Sequence, residues 1–236
     1  MNLILLFPDD FIDNTDRVVL RDRRFRHALE VLRASSGDEL LVGLLNDRIG
    51  TGRVVAVREA ELEMRVCLER TPPAALPLTL ILALPRPKVV RRVLRSATAL
   101  GVKRIFLLNC FRVEKSFWQS PFLEQESINE QLVLGLEQAR DTILPMVTLC
   151  RQFKPFVEDE LPGLIQNTSA FVAHPSALEP CPRDIKTDAT LIIGPEGGFI
   201  PYEIEKLRAC GCTLVSLGER ILNVEIAVPA LLSRLF

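Results

Sequence analysis

The stretch Leu191-Ile192-Ile193-Gly194-Pro195-Glu196-Gly197-Gly198-Phe199, with Leu217-Gly218-Glu219-Arg220-Ile221-Leu222 downstream, decides how this chain folds. In each, a short β-branched or apolar run, 189–193 or 213–217, stops at a glycine. A tight turn follows, and then a helix begins. Glycine serves where a chain reverses sharply or where a ligand must reach main chain. Two such turns at the ends of neighbouring strands lie where open α/β sheets take their ligands. Either turn alone reads better as an ordinary strand-to-helix connection. The pair points to a site.

The same alternation runs through residues 76–236. Strands are expected at 78–84, 104–108, 146–150, 170–173, 189–193 and 213–217. Helices are expected at 88–100, 124–140, 154–165, 201–210 and 224–235. Strand–helix alternation implies an α/β domain with a parallel sheet covered on both faces. Upstream, Thr71-Pro72-Pro73-Ala74-Ala75-Leu76-Pro77 marks a boundary, since three prolines cannot sit inside a helix or a central strand. Residues 1–72 read as mainly β, with strands at 39–45, 53–57 and 62–68 and one helix at 22–33. A small closed or half-closed barrel is the economical fold for them.

A net charge of −1 over 236 residues means that any nucleic-acid footprint must come from local clustering. Two clusters qualify. Arg17, Arg21, Arg23, Arg24, Arg26 and Arg33 face only Asp22 and Glu30 nearby in sequence. They suit phosphate oxygens, although a solvated helix face reads as well. Lys88, Arg91, Arg92 and Arg95 fall at i, i+3, i+4 and i+7, so a helix places them on one stripe. Their mutual repulsion would be relieved by a polyanion.

Six cysteines carry no CxxC pair, and Cys67, Cys110 and Cys150 lie in or beside apolar runs. They read as reduced, mostly buried thiols, and with two histidines no metal site is expected. The apolar start at 1–7 is too short for a signal segment, and no run is long enough for a membrane span. A soluble, cytoplasmic protein is expected.

The spelling GPEGGF, then LGxRIL, then Glu225 and Ala227, resembles the signature of the SPOUT class of RNA methyltransferases, and within it the family that methylates N3 of a uridine in 16S ribosomal RNA. The resemblance implies a knotted methyltransferase domain at 76–236, with a PUA-like RNA-binding barrel at 1–72 holding RNA through Arg21, Arg23, Arg24 and Arg26. It implies a homodimer acting on 16S ribosomal RNA or the small ribosomal subunit, and an S-adenosylmethionine pocket. Gly194, Pro195, Glu196, Gly197 and Gly198 would form one side of that pocket. Leu217, Gly218, Ile221 and Leu222 would form the other, with the His174-Pro175 loop contributing. His174 by itself reads better as a satisfied loop histidine.

Methyl transfer to N3 needs a group to take the N3 proton and a donor for the charge left on the uridine oxygens. Glu225 and Arg220 are the candidates. They read equally as a first-turn helix acid and a structural ion pair. The chain departs from the family spelling RILRTETA at Asn223, Val224 and Ile226, losing an arginine and two threonines. Two rivals therefore stay open: a catalytically impaired, RNA-binding paralogue, and a knotted methyltransferase with another RNA target.

Overall fold

The computed structural model describes residues 2–13 and 15–236. The chain divides into two compact units, one of 1–74 with 133–144, the other of 75–132 with 145–236.

The first unit is a five-stranded sheet, β1 (Ile4–Leu6), β2 (Arg17–Leu20), β3 (Glu39–Leu44), β4 (Ile49–Val57) and β5 (Leu62–Arg70), in the order β1-β3-β4-β5-β2. It curls into a half-barrel. Only β1 and β3 run parallel, and register shifts between β4 and β5 add to the bend. The strands β1 and β2 went unread in the sequence because three or four apolar residues show no period. Helix α1 (Arg23–Glu30) starts at Asp22, whose side chain accepts the Arg24 N–H. It ends earlier than expected, and Arg33 turns away in the left-handed region at φ 54°. The core gathers Ile4, Leu6, Leu20, Phe25, Leu62 and Met64. A second cluster packs Val133 and Leu136 against Leu3, Leu5 and Ile49. That burial is why 133–144 belongs to this unit, which a single linear boundary misses.

The second unit is built on β6 (Leu78–Ala83), β7 (Arg104–Leu108), β8 (Met146–Cys150), β9 (Ser169–Ala173), β10 (Ala189–Ile193) and β11 (Thr213–Val215). All pairings are parallel, in the order β11-β9-β10-β6-β7-β8. Buried runs such as Leu78–Ala83 and Ala189–Ile193 are what a sheet covered on both faces requires. The helices are α2 (Pro87–Ala99), α3 (Gln125–Ala139, whose second half belongs to the first unit), α4 (Phe153–Pro155), α5 (Leu161–Ile165), α6 (Pro201–Ala209) and α7 (Val224–Leu235). A π turn at Phe156–Glu160 separates α4 from α5 where one helix was expected, just ahead of Pro162, which cannot donate a helical hydrogen bond. Strand β11 stops at Val215, two residues early. Ser216 then bridges to Pro180, and Leu217 and Gly218 are released from the ladder.

All six cysteines are free. Burial holds Cys150 and Cys212 as neutral thiols, their pKa values pushed up to about 11 and about 12. Cys67 departs from the expected burial: it is exposed on β5, its thiol donating to Glu69. Among the described residues no helix is long and apolar enough to cross a membrane, and no three His, Cys, Asp or Glu side chains gather as a metal would need.

Candidate active site

Three strands that lie side by side, β11, β9 and β10, deliver three loops to one edge of the parallel sheet. His174 follows β9, Gly194 follows β10 and Ser216 follows β11. Between the loops lies a cavity of about 580 Å³. All ten residues expected to face a cofactor line it: His174, Gly194, Pro195, Glu196, Gly197, Gly198, Leu217, Gly218, Ile221 and Leu222. Arg220 lines it as well.

Each wall has a local cause. The Gly198 N–H donates to the Pro195 carbonyl at 2.7 Å, closing the 195–198 turn. A Cβ on Gly194 would stand 3.0 Å from the Phe199 ring, so only glycine lets that buried ring pack under the turn. Gly218 sits at φ +116°, a backbone conformation that other residues rarely adopt, with open space where a side chain would begin. Glu196 accepts the Arg86 N–H at 3.2 Å, tying the turn to the loop after β6. His174 donates its main-chain N–H to Val215, and its Nδ1 accepts the Ser176 N–H at 3.2 Å, so its ring is a satisfied loop histidine that also lines the cavity.

Asn223, read in the sequence as a departure from the family spelling, and Arg112, which went unread, also line the wall. Asn223 caps α7, its Oδ1 accepting the Ile226 N–H. Arg112, from the loop after β7, donates through Nη1 to the Gly197 carbonyl. Eighty-five positions separate Arg112 from Gly197, so no spacing pattern could have announced it.

Glu225 stands apart from the cavity lining. Its carboxylate pairs with Arg92 of α2, Nη1 to Oε1 at 3.0 Å, and both side chains are solvent-accessible. Glu225 sits in the first turn of α7, as the helix-acid alternative has it, and its ion-pair partner is Arg92 rather than Arg220.

The 17–33 cluster is largely neutralised by acids, most of them distant in sequence, whereas on the α2 stripe Arg92 is the residue paired with an acid. Arg24 is 4% exposed. It is engaged by Asp10, Asp22 and the Leu5 carbonyl, and so is withdrawn from any surface patch. Arg23 pairs with the buried Glu137, Arg21 with Glu61 and Arg17 with Glu63. Arg26 is exposed. On α2, Lys88 is exposed, Arg91 lies over the Phe122 ring at 4.8 Å and Arg95 donates to Gln131.

Comparison with known proteins agrees with this geometry. Residues 72–236 match the model of the RNA methyltransferase domain. The chain is 29% identical over 235 residues to ribosomal RNA small subunit methyltransferase E of Treponema pallidum, covering 98% of this chain and 88% of that one. It is 22% identical over 236 residues to ribosomal RNA small subunit methyltransferase E 1 of Borreliella burgdorferi, covering 98% and 95%. Its fold is similar to that of a Neisseria gonorrhoeae ribosomal RNA small subunit methyltransferase E solved with S-adenosyl methionine, at 20% identity and TM-score 0.75, covering 98% of this chain and 95% of that one. It is similar also to a Legionella pneumophila methyltransferase solved with SAM, at 22% identity and TM-score 0.73, covering 99% and 96%. With a family model spanning the whole of the cavity-bearing unit, the chain belongs to the RNA methyltransferase domain family.

Proposed function

We propose that this protein transfers a methyl group from S-adenosylmethionine to N3 of a uridine in 16S ribosomal RNA, acting in the cytoplasm as a homodimer. One observation carries the reading: three loops from neighbouring parallel strands converge on a single cavity, and two of them are the glycine turns at 194–198 and 217–222. The names of the full-length relatives support the substrate.

The residues present fit the cofactor. The cavity volume falls within the ~300–1,000 Å³ typical of small-ligand pockets. The 194–198 turn offers main-chain donors and acceptors to an adenine edge. Leu217, Ile221 and Leu222 offer apolar contact to its faces. When bound, S-adenosylmethionine supplies a methyl group on a sulfonium centre. Arg220 gives a cationic donor for the charge that gathers on the uridine oxygens as N3 loses its proton. Glu225 is the proton acceptor in this reading. Arg92 holds it in the free protein, and RNA phosphates competing for Arg92 would release it.

The half-barrel of the first unit is, in this reading, the PUA-like RNA-holding module, with Arg26 and the solvent-facing Arg21 and Arg23 at its surface. The second unit is a knotted SPOUT domain. Support for threading comes from the 179–185 loop, which bonds both to Ser216 and to Arg234 and Leu235 at the chain's end. Exposed apolar side chains at Leu178, Ile221 and Ile226 are of the kind a second copy would cover. Nucleoside mass spectrometry of 16S ribosomal RNA tests the function. A deletion strain should lack one N3-methyluridine, and the intact gene should restore it. An unchanged nucleoside profile overturns the reading.

A second reading, an RNA-binding paralogue with impaired catalysis, is favoured by the occupied Glu225 and by the use of Asn223 as a helix cap. Wild-type protein that binds S-adenosylhomocysteine yet methylates no RNA would select it.

A further inference from the structure

We propose that Phe111 is a stacking platform for an RNA base next to the target nucleotide, with Arg112 positioning that strand at the cavity rim. The inference rests on the RNA methyltransferase reading and names how this chain holds its substrate.

Phe111 is 77% exposed, although its neighbours Cys110 and Val113 are buried. Phenylalanine is ordinarily an interior residue. Its ring has no aromatic or cationic partner among the described residues. The loop that carries it is well fixed. The Phe111 N–H donates to Glu203 Oε1 at 2.7 Å. Glu203 is itself 2% exposed, and its Oε2 accepts the Ile200 N–H at 3.0 Å. One buried carboxylate thus ties the loop after β7 to the start of α6, which follows the glycine turn. Asn109 adds two anchors, its N–H to the Cys150 carbonyl and its Oδ1 to the Trp118 indole N–H. The ring is held outward by a rigid backing.

Arg112 joins this ring to the cavity. Its side chain lies across Gly197 and lines the wall, with Nη1 on the Gly197 carbonyl. An exposed ring on a fixed loop, beside a cation at the mouth of a cavity, is what single-stranded RNA recognition uses. The base stacks on the ring and the cation meets the backbone. Tyr202, next to Glu203, repeats the pairing. It is 44% exposed, with the Lys206 ammonium 5.8 Å from its ring. An enzyme that methylates a base edge must turn that nucleotide out of its stack, and the flanking base then needs a new face to rest on.

The test uses full-length protein, protein-free 16S ribosomal RNA and S-adenosylhomocysteine. Phe111→Ala should weaken RNA binding and raise the KM for RNA, each by about 10-fold, within the range of one aromatic–base stack. S-adenosylhomocysteine affinity and the melting temperature should stay at wild-type values. Phe111→Trp should restore binding, whereas Phe111→Leu should not. The salt dependence should keep its slope, because no phosphate contact is lost. An unmoved RNA affinity in Phe111→Ala, or full activity in Phe111→Leu, overturns the proposal. So does a change of oligomeric state in Phe111→Ala by light scattering, which would make the ring a contact between copies. Wild-type RNA methylation, measured alongside, separates the two failures. If it is present while Phe111→Ala binds normally, only this proposal falls. If it is absent on both the free RNA and the small ribosomal subunit with cofactor bound, the function itself falls.

Discussion

Asn223 Oδ1 accepts the Ile226 N–H at 2.9 Å, and the Asn223 carbonyl accepts the Ala227 N–H at 2.8 Å. A residue that breaks the family's arginine spelling is therefore the N-cap of α7. Asparagine is among the strongest caps because its side-chain oxygen satisfies a donor that the helix leaves open. Asn223, Val224 and Ala227 also line the cavity, so the cap sets the shape of the wall.

Restoring the arginine should consequently trade stability for charge. Asn223→Arg should lower the unfolding free energy by about 1 kcal/mol, while Asn223→Asp should hold it. Val224→Thr should cost on the order of 1–3 kcal/mol more, since Val224 is buried and its new hydroxyl needs a partner. Ile226 is exposed in the single chain, so Ile226→Thr should leave the stability of the subunit itself nearly unchanged. The triple variant should raise the single-turnover rate on ribosomal RNA and leave cofactor affinity within a few-fold. Thermal unfolding of the single variants checks the first statement; a melting temperature unmoved by Asn223→Arg would remove the cap from the explanation.

Arg24 should behave as a structural residue. Removing its guanidinium takes a charged donor from the Asp10 carboxylate, the Asp22 carboxylate and the Leu5 carbonyl, so Arg24→Met should cost roughly 3 kcal/mol. Burial alone would raise the Asp22 pKa, but hydrogen bonds from Arg24 outweigh it and hold the carboxyl below the ordinary aspartate range. A lowered carboxylate pKa stabilises the fold above the unfolded-state value, and that contribution is lost as pH falls through the folded-state value. The acid loss at Asp22 should thus be smaller in Arg24→Met than in wild type, because the Arg24 guanidinium is gone while the main-chain N–H of residue 24 and the Arg23 charge remain. Denaturant titrations across the acid range measure both. The salt slope of RNA binding in a milder Arg24→Lys variant should equal that of wild type.

Gly218 bears on the cofactor without bearing on RNA. A methyl group there meets no atom within 4 Å, so the cost of Gly218→Ala is backbone strain at φ +116°, on the order of 1–3 kcal/mol. The backbone escapes that strain by turning away, and this moves Leu217 and the 220–222 wall. Calorimetry should show S-adenosylhomocysteine binding weakened by about 10-fold or more, that strain converted at about 1.4 kcal/mol per tenfold. Affinity for RNA should be retained. Equal cofactor affinity would place the ligand elsewhere.

The cavity was legible because its walls are local. Each glycine turn is a contiguous string, and a strand followed by a glycine turn names its own place at the sheet edge. What the sequence concealed is carried by pairs far apart in number. The 17–33 arginines read as unbalanced because Glu61, Glu63 and Glu137 come from other elements. Residues 133–144 left the domain suggested by the proline-rich boundary because Val133 and Leu136 have apolar partners at Leu3 and Leu5. Strands β1 and β2 were too short for a period, and Arg112 reached Gly197 through a loop with no signature of its own.

The Arg92–Glu225 pair decides between the two functional readings. Exposed pairs of this kind contribute little, about 0–1 kcal/mol, so neither partner is needed for folding. Glu225→Gln removes the charge and keeps the shape. If Glu225 accepts the N3 proton, the single-turnover rate at saturating cofactor and RNA should fall by about 10²-fold or more, with stability within about 1 kcal/mol of wild type. Arg92→Ala should do the opposite. Losing one phosphate contact should flatten the salt dependence of RNA binding by roughly 0.7–0.9 in log–log slope. The carboxylate is then free in advance, so the rate at saturating RNA should hold. The two effects should not add in the double variant, because the residues touch. Equal losses of rate in the two single variants would mean that the pair only braces α2 against α7, and the impaired-paralogue reading would take the lead.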